Sequence, residues 1–94
     1  MDALLLDPVL DMRAAAPLKA ALAERRGKPV ELDASKVQRL GGLCLQVLIA
    51  ARRAWHEEEQ PLVIGHRSEA FTTALRLFGA TEQFEDMNSN GGIQ

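Results

Sequence analysis

This 94-residue chain has one cysteine, no tyrosine, no phosphate-cradling glycine motif and no long apolar run. Each lack removes a class of function. Cys44 alone forms neither an internal disulfide nor a cysteine-only metal site. Neither GxxxxGKS/T nor GxGxxG occurs, so a nucleotide-phosphate loop of the familiar kind is missing. No apolar stretch approaches the roughly 20 residues that span a bilayer, so direct membrane insertion is not expected. Met1-Asp2 opens on an acid and Leu4-Leu5-Leu6 is short for a signal core. A reducing, cytoplasmic setting is the simplest expectation. Basic residues are scarce as clusters: Arg25-Arg26 and Arg52-Arg53 are only doublets, and the net charge is −2. Nucleic acid, which needs a clustered basic face, is not expected as a partner. One local absence matters most. From Val37 to Ala54 there is no serine or threonine.

Apolar residues make up 47% of the chain, enough for one small core. Aromatics are few, namely Trp55, Phe71, Phe78 and Phe84, so that core is built from Leu, Val, Ile and Ala. Ala3-Leu4-Leu5-Leu6 reads as a strand that stops at Asp7-Pro8, with Val9-Leu10 as a second extended piece; Pro8 marks an edge or a bend. Pro17 suits the first turn of a helix, Leu18 and Leu22 are spaced i, i+4, and Gly27 suits its end. Pro29 to Asp33 alternates like a strand.

From Leu43 to Trp55 the apolar positions cover most of a helix circumference. Leu43, Val47, Ala50 and Ala54 make one stripe; Cys44, Leu48, Ala51 and Trp55 make its neighbour. Such a helix is buried, or keeps a face for a partner. Glu57-Glu58-Glu59 opposes the dipole at the helix C-terminus and predicts a frayed, solvated loop. Pro61 to Gly65 reads as a central, buried strand. Ser68 then caps a helix with Phe71, Ala74, Leu75 and Phe78 on one face and Gly79 at its end. Phe84 docks the segment after that helix, and residues 87–94 read as a flexible tail. The alternation predicts an α/β domain over residues 1–86, with helices packed on a mixed, mainly parallel sheet.

No catalytic constellation assembles from these residues. His56 lies in a charged surface run, and His66 follows a strand without a paired Ser or Cys nucleophile. Asp33, at a strand end, suits the capping of the next turn. Cys44 sits among apolar neighbours as a buried thiol. No cofactor and no metal are expected.

The junction from Val30-Glu31-Leu32-Asp33 through Ala34-Ser35-Lys36-Val37 to Leu40-Gly41-Gly42-Leu43-Cys44-Leu45-Gln46-Val47-Leu48 runs strand, connection, helix start. With Pro61-Leu62-Val63-Ile64, Ser68-Glu69-Ala70-Phe71 and Leu75-Arg76-Leu77-Phe78-Gly79 in that order, the chain resembles the STAS domain family, which includes anti-sigma-factor antagonists. The resemblance spans roughly residues 3 to 84 and implies a non-enzymatic STAS-like domain in a bacterial, cytoplasmic setting.

In that family the switch loop often reads Asp-Ser-Ser-Gly or Asp-Thr-Ala-Gly. Setting its last Gly on Gly42 puts the phosphoacceptor position on Gly41, which cannot be phosphorylated. Ser35 is out of register. The stretch with Gln46 resembles small STAS proteins of chemotaxis histidine kinases. The resemblance therefore implies signal transduction through a histidine-kinase-type ATPase partner. The corresponding surface is Lys36, Arg39, Leu40, Gly41, Gly42, Leu43 and Gln46, with Leu40 and Leu43 as apolar anchors. The alternative is a STAS subunit of a phospholipid-transport ATP-binding-cassette complex. A homodimer through an edge near Leu4-Leu5-Leu6 stays open.

Overall fold

The structure is a computed structural model and describes residues 3–84. The expected domain boundary at residue 86 and the 87–94 tail lie outside the described residues. Strand β1 (Ala3–Leu5) and strand β2 (Val9–Leu10) come first. A 3-10 helix (Met12–Ala14) then leads into helix α1 (Ala15–Ala23). Strand β3 (Val30–Ala34), strand β4 (Arg39–Leu40) and helix α2 (Gly42–Glu57) come next. Strand β5 (Leu62–Arg67), helix α3 (Glu69–Leu77) and a 3-10 helix (Thr81–Phe84) complete the order.

The expected mainly parallel sheet is there, in two pieces. One is three-stranded, in the order β1-β3-β5; the other pairs β2 with β4. All the described ladders are parallel. Val30, Leu32 and Ala34 alternate with Glu31 and Asp33 along β3, and the first three are buried while the acids are half-buried. That two-residue period sends the apolar set to the helical layer. Leu32, Leu48, Phe71 and Phe84 have no exposure to solvent. The β3–β5 ladder shifts register after Leu32, so that Ile64 pairs with Leu32 and His66 with Asp33, with Gly65 as the extra residue.

Helix ends obey side-chain chemistry. Asp11 accepts from the Arg13 and Ala14 amides at 3.0 and 3.2 Å and starts the first 3-10 turn. The Ser68 hydroxyl accepts from the Phe71 amide at 3.0 Å and starts α3, as expected. Gly27 (φ 83°) and Gly79 (φ 69°) take the left-handed conformation that turns the chain after α1 and α3.

Several local expectations need correction. The proposed switch loop contains β4: Arg39 and Leu40 pair with Val9 and Leu10, which two-residue runs do not announce in sequence. The β5 strand continues through His66 to Arg67, so His66 lies in the strand instead of after it, and β5 stands at the edge of the three-stranded sheet, with β3 in the central place expected for β5. Helix α2 continues through Glu57, and Glu58 pairs with Arg26 instead of dissolving into a loop. Phe78 is the C-cap of α3 and half exposed, because the helix ends at Leu77 and frees it from the buried Phe71–Leu75 face.

Phe84 ends the described chain with no solvent exposure, so its ring ties the last 3-10 turn into the core. Phe84→Ala is expected to cost about 3–5 kcal/mol in urea unfolding. Leu77→Ala, at a side chain 80% exposed, should stay within about 0.5 kcal/mol.

Candidate functional site

The N-terminus of α2 is assembled by backbone groups of the β2 segment. The Pro8 carbonyl accepts from the Gln38 and Arg39 amides at 2.7 and 3.1 Å, and the Leu10 carbonyl accepts from the Gly41 amide at 2.9 Å. The next carbonyl, of Asp11, accepts from the Cys44 thiol at 3.2 Å. On the other side the Ser68 hydroxyl donates to the Val37 carbonyl, so the cap of α3 also holds the connection ahead of β4. The short loop is thereby fixed from two directions.

Gly41 is the N-cap of α2, in extended backbone (φ −88°, ψ 167°), and has no side chain to accept from the first-turn amides. Those amides carry the positive end of the helix dipole. The conformation itself does not require glycine, and the packing leaves a side chain tight but tolerable room. A Cβ at Gly41 would lie 3.3 Å from the Leu10 carbonyl oxygen. At Gly42 a Cβ would meet the Phe78 ring at 3.7 Å. No acid stands in the first turn of α2.

Among the residues expected at this surface, Lys36 is exposed in the turn after β3, and Arg39 is exposed on β4. Gly41, Gly42, Leu43 and Gln46 line the first turns of α2, with Leu43 half exposed and Gln46 exposed. Leu40 is the correction. It is 6% exposed and belongs to the core, because the β2–β4 pairing turns it inward beside Leu10. The apolar character of this end comes instead from Leu43, Met12 and Phe78, which are 50%, 76% and 50% exposed. Met12 adjoins the Asp11 carbonyl that holds Cys44, and Phe78 lies beside Gly42. Neither was legible as a site residue. Met12 precedes a helix by sequence, and Phe78 completes an apolar helical stripe.

Cys44 is a structural thiol, as expected from its neighbours. It is fully buried, and burial followed by the Asp11 charge pushes its pKa up. It therefore stays protonated and donates. Asp33 caps the turn after β3. Hydrogen bonds from the Ser35 hydroxyl and amide hold its carboxyl below the ordinary range, with smaller help from His66 and Lys36. The register of β3 and β5 sets Asp33 opposite His66 at the strand ends, with the Ser35 hydroxyl held on the same carboxyl. Among the described residues no group of three or more His, Cys, Asp or Glu is placed to hold a metal.

A family model described as "Mlab, STAS domain" matches residues 2–87, nearly the whole chain. No curated protein matches the chain.

The lowered Asp33 pKa fixes the sign of an acid effect. Its contribution to stability is present above the unfolded-state value, near about 3.9, and is lost as pH falls through the folded-state value. Asp33→Asn should therefore flatten the low-pH end of the stability curve, measured by urea midpoints across pH. In a second test, Cys44 should resist iodoacetamide in the native protein and react on unfolding, read as a mass increment.

Proposed function

The chain belongs to the STAS domain family, and from that premise we propose that it docks on an ATPase partner through the N-terminus of α2. Domains of this family are in general non-catalytic interaction modules. The leading partner is a histidine-kinase-type ATPase in a bacterial, cytoplasmic signalling system. The surface is Gly41, Gly42, Leu43 and Gln46, flanked by Lys36 and Arg39, with Met12 and Phe78 added as apolar neighbours and Leu40 withdrawn.

The observation that carries this reading is the bare cap at Gly41. First-turn amides stand without a capping side chain, next to three half- or mostly exposed apolar side chains. An acidic group of a partner would complete the cap, while its apolar surroundings would cover Leu43, Met12 and Phe78. Glycine also lets a partner backbone approach closely.

Glycine cannot carry a phosphate, so contact at this position is not switched on and off by phosphorylation. That favours a second reading, a STAS subunit held permanently on the ATPase of a phospholipid-transport ATP-binding-cassette complex. Both readings use the same surface. They differ in what co-purifies: a sensor kinase in one, transporter subunits in the other. Among the described residues no helix is long and apolar enough to cross a membrane, so in either case this domain would meet its partner outside the bilayer.

Gly41→Asp separates binding from folding. An aspartate supplies the missing cap, worth a few tenths of a kcal/mol over glycine, against a tight approach to the Leu10 carbonyl. The melting temperature should hardly move. Affinity for the co-purified ATPase should fall by about tenfold or more, because the new carboxylate takes the amides and repels an acidic partner group. Unchanged affinity in a folded variant, by titration calorimetry, removes this surface from the proposal.

A further inference from the structure

Helix α2 has two apolar stripes, and they meet different fates. Cys44, Leu48, Ala51 and Trp55 are buried in the core. Leu43, Val47, Ala50 and Ala54 face outward or half outward, along a trough between α2 and α1. The trough encloses about 400 Å³. From Leu43 to Ala54 it runs about 16 Å, or three helical turns, at the usual rise per residue. Its floor is Leu22, Ala51 and Trp55; Lys19 stands on its α1 wall, and Arg26, in the turn after α1, stands at its far end.

We propose that this trough seats an amphipathic helix of a partner protein, with an apolar stripe flanked by carboxylates. Shape comes first. Ala50 and Ala54 are small, so a third helix settles close between α1 and α2, with its own larger side chains reaching Val47 and Leu22. The open form of the trough suits a helix lying along it, whereas a small ligand is enclosed on most sides.

Charge complementarity then selects the flank. Among the described residues no carboxylate lines the trough, while Lys19 on α1 and Arg26 in the turn after it both do. Arg26 already donates to Glu58, and its guanidinium lies 5.6 Å from the centre of the Trp55 ring. The indole donates to the Lys28 carbonyl at 2.7 Å, which fixes the floor at that end. Lys19 is therefore the cation that a partner carboxylate meets first.

This surface shares Leu43 and Gln46 with the one at Gly41 and continues from there along α2, and the inference holds whichever ATPase is the partner. The test places the photo-cross-linker p-benzoylphenylalanine at position 50 of the full chain, and in a separate variant at position 39. Both are expressed in native cells, and the joined peptides are sequenced by mass spectrometry. The probe at position 50 should join a segment with apolar residues at i, i+3 or i+4, and i+7, and with Asp or Glu beside them. Lys19→Glu should cut that cross-link by about fivefold and leave both the melting temperature and the cross-link from position 39 unchanged. The proposal is overturned if position 50 joins a second copy of this chain, a lipid, or a segment without that pattern. It is equally overturned if position 50 joins nothing, or if Lys19→Glu leaves the yield unaltered. A cross-link at 50 without one at 39 keeps the trough and removes the docking surface at Gly41; the reverse keeps that surface and removes the trough.

Discussion

The carbonyl groups of Pro8, Leu10 and Asp11 hold the start of α2 in place. Within four residues they take the amides of Gln38, Arg39 and Gly41 and the thiol of Cys44. A two-residue parallel ladder is too small to be stable alone, and its pairing energy comes from the packing around it. Leu10, Val37, Leu40 and Cys44 supply that packing as buried side chains. Once the ladder is set, α2 has to begin at Gly42, because the backbone at Gly41 is already committed to Leu10. The start of the helix is thus fixed by tertiary hydrogen bonds in the place where many helices use a capping side chain.

That substitution of tertiary for local capping has a consequence for the surface at this end. A Ser or Asp at position 41 would satisfy first-turn amides from within the chain. Glycine leaves them without a side-chain acceptor and admits the close approach of the Leu10 carbonyl. A few tenths of a kcal/mol of local stability is given up. What is gained is a patch of positive helix-end potential beside Leu43, Met12 and Phe78, with Arg39 on the adjoining strand. The opposite end of α2 has the contrary character. Glu57, Glu58 and Glu59 gather where the dipole is negative, and Arg26 offsets one of them. Charge and dipole reinforce each other at both ends, so the field along α2 is larger than the modest net charge suggests.

Much of the fold was legible because its signals are local. Alternation marked β3, the i, i+3, i+4 spacing marked the helices, and Ser68 and Gly79 marked both ends of α3. What escaped depends on distant pairing. Arg39–Leu40 is a strand only because Val9–Leu10 lies beside it, and that same contact moves Leu40 from surface anchor to core. The Glu58–Arg26 pair joins residues 32 apart in sequence, which no helical periodicity reveals. The site was partly legible for the same reason. Gly41, Gly42 and Leu43 are neighbours in sequence, whereas Met12 and Phe78 are carried there by two other elements.

The two stripes of α2 show how one helix serves both core and surface. In the sequence they are nearly equal in apolar content, and an equal burial of both would have been a reasonable expectation. The stripe with Cys44, Leu48 and Trp55 is the larger and faces the sheet, where burying bulk yields most. The stripe left open ends in Ala50 and Ala54, small residues whose exposure sacrifices little free energy in the isolated domain. Exposing a leucine there would cost about 1–2 kcal/mol more in lost burial. Alanine at those positions keeps the uncovered trough compatible with a stable free domain, and it also lets a backbone come close. A fold that needed only a core would gain by filling that trough; this one keeps it shallow, apolar and bordered by Lys19.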